Sequence, residues 1–60
     1  MLTTRAIAEG YLVALAADPE KRNAGYYVRL AYKYGVRVGR IINISGLPAA
    51  TVIAHIEGDE

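Results

Sequence analysis

Sixty residues set one small domain, 1–60, as the expectation, and so short a chain buries only about 60% of its unfolded surface, leaving it marginal without a staple. The absence of cysteine excludes disulfides and thiolate metal sites, and one histidine, His55, cannot form a structural zinc site, so no metal or cofactor is expected and self-association as a homodimer is the staple that remains. The net charge of +1 hides a segregation: no acid lies between Lys21 and Ile56, whereas Lys21, Arg22, Arg29, Lys33, Arg37 and Arg40 all do, and such a block flanked by acidic ends favours a polyanionic partner over a merely solvated face.

Arg5 followed by the apolar run 11–17 faintly resembles a secretory leader, but Glu9 and Gly10 interrupt it and removal would leave too little chain for a domain. No stretch approaches the roughly twenty apolar residues of a membrane span. The expectation is a cytoplasmic protein with no membrane association.

In chain order, residues 3–17 suit a helix. Thr3 or Thr4 can cap it, and Ile7, Tyr11 and Leu15 recur at four-residue spacing with Ala8 and Leu12 beside them. Ala6, Gly10 and Ala14 form a second, small-residue stripe that serves either as a dimer seam or as close packing within one chain. Asp18-Pro19-Glu20 has the form of a helix start: an acceptor side chain, a proline whose missing N–H is harmless in the first turn, and an acid on the positive end of the dipole. A second helix is therefore expected over 19–34, with Gly35 as its left-handed stop and Ala24, Tyr27, Val28, Ala31 and Tyr34 as its core stripe. The tyrosines among the basic residues, Tyr26, Tyr27, Tyr32 and Tyr34, fit a core rim better than a platform for stacking bases.

Residues 36–45 fit two periods. Val36, Val38, Ile42 and Ile44 alternate as in a strand, while Val38, Ile41, Ile42 and Ile44 or Ser45 make a helical stripe. Position after a helix stop and before Ser45-Gly46-Leu47-Pro48 decides for a helix over 37–45. Pro48 then opens a helix over 48–57, with Val52 and Ile56 inward and Gly58 at its end. The fold class expected is all-α, a short three- to four-helix bundle containing a helix-turn-helix. The alternative is two helices followed by a β-hairpin that turns at residues 45–48.

The stretch from Tyr34 to Val52 resembles small bacterial and phage helix-turn-helix regulators. The resemblance lies in Ile41-Ile42 as the paired apolar centre of a first helix, Ser45-Gly46-Leu47-Pro48 as the turn, and Ala50-Thr51-Val52 opening a recognition-type helix. It covers the C-terminal half and departs from the family at Ile42, where a small residue is usual, and at Arg37, where no side-chain cap stands. It implies a transcription regulator that binds duplex DNA, with Pro48, Ala49, Ala50, Thr51 and Ile53 facing the groove, together with Ala54 and Glu57. None of these is Arg, Lys, Asn or Gln, the side chains that grip a base edge with two hydrogen bonds. Affinity is then expected from backbone contacts by Arg29, Lys33, Arg37 and Arg40. The competing expectation is a protein-interaction module, a phage-type inhibitor or accessory subunit, that presents the apolar face of the last helix to a host protein. Enzymatic readings find no footing, because His55 has no nucleophile or ligand cluster beside it in the sequence pattern.

Overall fold

A computed structural model describes residues 3–58, and among them all regular structure is helical: α1 Thr4–Ala17, α2 Ala24–Lys33, α3 Val38–Ser45 and α4 Ala49–Ile56. Asp59 and Glu60, expected as a frayed tail, lie outside the described residues. The β-hairpin alternative is thereby excluded, and residues 38–45 resolve as helix.

α1 begins as its sequence dictates. The Thr3 side-chain oxygen accepts from the Ala6 N–H at 3.0 Å, satisfying one of the orphan donors of the first turn. Its core face is Ala8, Leu12 and Leu15, all buried. Ile7 and Tyr11, which share the four-residue spacing of Leu15, remain 46% exposed. α1 lies across both α2 and α3, and this turns the helix so that the Ala8–Leu12–Leu15 ridge enters the core and the Ile7–Tyr11 edge borders α2.

The expected helix over 19–34 is corrected to Ala24–Lys33. Asp18 does not start a helix. Its carboxylate accepts from the N–H groups of Glu20 at 3.0 Å and Arg22 at 3.1 Å, closing an Asx-type loop. The Lys21 ammonium donates to the carbonyls of Ala16 and Asp18, at 3.2 and 3.0 Å, and so caps the end of α1. Lys21 and Asn23 take left-handed conformations, at φ 52° and 60°, which no continuous helix could contain. Pro19 therefore sits in a turn, and α2 starts after Asn23 with no side-chain cap.

The far end of α2 follows the expected stop. The Gly35 N–H donates to Tyr32 O, and the Val36 N–H reaches back to Ala31 O at 3.0 Å, the paired bonds of a Schellman closure. Val36, the residue after the closure, is itself 2% exposed and joins the core. Of the tyrosines expected on the core stripe, Tyr27 is half-buried and Tyr34 is exposed. Tyr27 stacks on Tyr11 with ring centroids 5.6 Å apart, and Tyr26 meets Tyr27 edge-on at 5.4 Å.

The core joins all four helices: Leu12 and Leu15 of α1, Val28 and Ala31 of α2, Ile41 of α3 and Val52 of α4, with Val36 and Leu47 inserted from the connections. α4 closes the side away from α1, packing on α2 and α3. The contribution of Ile56, expected inward, is partial, because that position is only half-buried.

Candidate nucleic-acid interface

α3 and α4 are eight residues each and are joined by Gly46, Leu47 and Pro48. Three local choices make so short a connection possible. Gly46 takes φ 74°, a conformation that would push a side chain against the following carbonyl, and its N–H closes α3 on Ile42 O. The Ser45 hydroxyl is fully buried and accepts from the Leu47 N–H at 3.2 Å, so the one buried polar side chain among the described residues is satisfied by the turn itself. Pro48 needs no N–H partner and leads straight into α4.

With Val52 buried, α4 turns its opposite side to solvent. Pro48, Ala49, Ala50, Ile53, Ala54 and Glu57 are all exposed, and Thr51 is half-buried at the edge. The positions expected to face a groove are thus accessible, Thr51 only in part. That face offers methyl and methylene groups, and its one charge is the carboxylate of Glu57.

The four expected backbone contacts fall into two groups. Arg29 and Lys33 share the outer side of α2 with Tyr26, Leu30 and Tyr34. Arg29 donates to the His55 carbonyl at 3.4 Å, a long bond that touches the end of α4, and the Lys33 ammonium lies 5.9 Å from the Tyr34 ring centre. Arg37 and Arg40 stand instead at the start of α3, beside the first turns of α1. Arg40 is held in a two-point ion pair by Glu9, Nε to Oε2 at 3.0 Å and Nη2 to Oε1 at 3.3 Å. That hydrogen bond keeps the Glu9 carboxyl below its ordinary pKa, aided by the charges of Arg40 and Arg5, and raises the pKa of Arg40 in return.

Glu9 and Arg5 are the participants that periodicity missed. They sit four apart on α1, so they share one face of that helix, but nothing in the sequence tells which of α2 and α3 that face will meet. The small-residue stripe takes a clearer form. Gly10 is exposed, with open space where a Cβ would stand, and Ala14 is exposed too, with Ala6 half-buried. Close packing within one chain therefore does not account for Gly10.

No family model, no curated protein and no solved structure matches the chain. No helix among the described residues is long and apolar enough to cross a membrane.

Proposed function

We propose that the protein is a small cytoplasmic DNA-binding protein of the helix-turn-helix regulator type that engages duplex DNA as a homodimer. The observation that carries this reading is the α3–α4 pair: two short helices, a left-handed glycine at the turn, a buried Leu47 after it, and a second helix whose entire outer face is accessible. A face of Ala49, Ala50, Ile53 and Ala54 reads bases weakly, through contact with thymine methyl groups. Arg29, Lys33, Arg37 and Arg40 supply the phosphate contacts, so binding is strong relative to its sequence preference. The stripe Ala6–Gly10–Ala14, exposed at Gly10 and Ala14 and half-buried at Ala6, is the surface for the second copy, because helices approach most closely where side chains are smallest.

A titration against mixed-sequence and operator-like duplexes at two salt concentrations tests the reading. The expected result is affinity that falls steeply with salt, log Kd changing by about 0.9 per log unit of salt for each phosphate neutralised. Absence of binding at low salt would remove it. A melting temperature independent of protein concentration, with a monomer mass in solution, would remove the homodimer.

A second reading has one specific observation behind it: the accessible face of α4 carries no side chain suited to bidentate base contacts. On that reading the face docks a host protein. Recovery of the same partner from nuclease-treated lysate, lost on Ile53→Glu, would favour it over DNA binding.

A further inference from the structure

The cleft between the first turns of α1 and the α2–α3 junction collects charge that the fold does not consume. It measures about 400 Å³, and Arg5 and Glu9 line one wall and Arg37 and Arg40 the other. Three guanidinium groups face one carboxylate, an excess of two positive charges. Among the described residues neither Arg5 nor Arg37 has an ion-pair partner. Arg40 donates once from Nε and once from Nη2 to Glu9, and among the described residues Nη1 makes no hydrogen bond.

Like charges brought together on a marginal fold destabilise it, so an uncompensated cluster needs a reason. An anion supplies one. The guanidinium fork matches a tetrahedral oxyanion two hydrogen bonds at a time, and several forks around one cleft exceed what a single carboxylate can use. Glu9 acts as a positioning residue: it fixes the Arg40 side chain across the cleft and leaves one edge of it open. The site lies apart from the α4 face and includes a residue of α1, so it extends the polyanion contact beyond the α3–α4 pair.

We infer that this cleft is an oxyanion site for one phosphate group, with Arg5 and Arg37 as its principal ligands and Arg40 contributing the edge that Glu9 leaves open. Assigning that phosphate to a duplex backbone rests on the DNA-binding reading; the oxyanion chemistry does not.

The test uses Arg5→Gln and Arg37→Gln, with Arg22→Gln as a control that removes the same charge from a residue paired to Asp18 and Glu20 outside the cleft. Helical content of each variant is checked by circular dichroism. Duplex affinity is measured at two salt concentrations, and inorganic phosphate is titrated while backbone amide shifts are followed. Each cleft variant is expected to weaken duplex binding about 5- to 10-fold and to reduce the salt slope by about one, whereas the control changes affinity less than about twofold. Phosphate is expected to move the amides of residues 5 and 37–40 in the natural protein and not in either cleft variant. Cleft variants that bind duplex as tightly as the natural protein, with no phosphate effect on those amides, overturn the site and leave DNA binding standing. Absence of duplex binding by the natural protein, with the phosphate shifts present, overturns DNA binding and leaves the oxyanion site standing. Absence of both overturns both.

Discussion

Of the three connections between the helices, the first and the last are built on opposite principles. The link between α1 and α2 spans residues 18–23 and is held from outside: a carboxylate gathers two backbone N–H groups, an ammonium gathers two carbonyls, and Arg22 pairs with Asp18 and Glu20 at the surface. The link between α3 and α4 spans only residues 46–48 and is held from inside, by a left-handed glycine, a buried hydroxyl and a leucine side chain set into the core. Charge-held loops respond to pH and salt, and core-held turns respond to volume and backbone geometry. The helix pair proposed to face the DNA groove is thus the pair whose connection is indifferent to ions.

Substitutions can break this contrast, and the largest effect is expected at Leu47. Leu47→Ala removes a side chain that is 9% exposed and should cost about 2–4 kcal/mol. A domain of this size has a total of only about 3–9 kcal/mol, so a urea melt should show the midpoint falling by a large fraction. Next is Gly46→Ala. Nothing stands within 4 Å of the added methyl, so the loss is backbone strain alone, about 1–2 kcal/mol, read as a lower Tm with unchanged core packing.

Asp18→Asn sharpens the contrast through pH. Hydrogen bonds from the N–H groups of Glu20 and Arg22 hold the Asp18 carboxyl below its ordinary pKa. Its folded pKa is depressed, so its stabilisation is fully present above the ordinary carboxylate range and is lost as pH falls through that range to the lowered folded value. Glu9 carries the same sign through Arg40. Thermal melts across acid pH should therefore show a Tm that declines with acidification. Asp18→Asn should flatten part of that decline, and Gly46→Ala should shift the whole curve down without changing its shape. The smallest effect is expected at Asn23, which is left-handed like Gly46 but is a residue type that tolerates the conformation. Asn23→Ala should cost only about 0.5 kcal/mol in the same melts.

The inside-held half was the more legible in the sequence, and the reason is local. Proline holds the leucine before it to extended backbone and the glycine ahead of that can take the left-handed turn, so Ser45 to Pro48 announced a turn, and Val52 fell inward where helical spacing put it. The outside-held loop misled because Asp-Pro-Glu serves two structures. The same carboxylate that caps a helix also closes an Asx loop, and Lys21, by capping α1 instead of joining α2, settled which. Ile7 and Tyr11 had the right period for a core face, but a period fixes only which residues share a face; the pose of α1 over its two neighbours fixes how far that face turns inward. The ion pair of Glu9 with Arg40 joins residues 31 apart in the chain and has no local signature at all.

One small vacancy in the α2 surface has a wider effect. A methyl group on Gly25 would come within 3.0 Å of the His55 imidazole and 3.2 Å of the Arg29 guanidinium. Alanine there would favour the helix by about 1 kcal/mol, and the chain forgoes that gain. The space kept clear is where the end of α4 rests on α2. A methyl there would press on two side chains, the His55 imidazole and the Arg29 guanidinium, each of which must give by a few tenths of an ångström, so a gain in helix propensity is set against a crowded contact between α2 and the end of α4. The missing side chain at position 25 thus ties the local stability of α2 to how closely the last turn of another helix can lie on it.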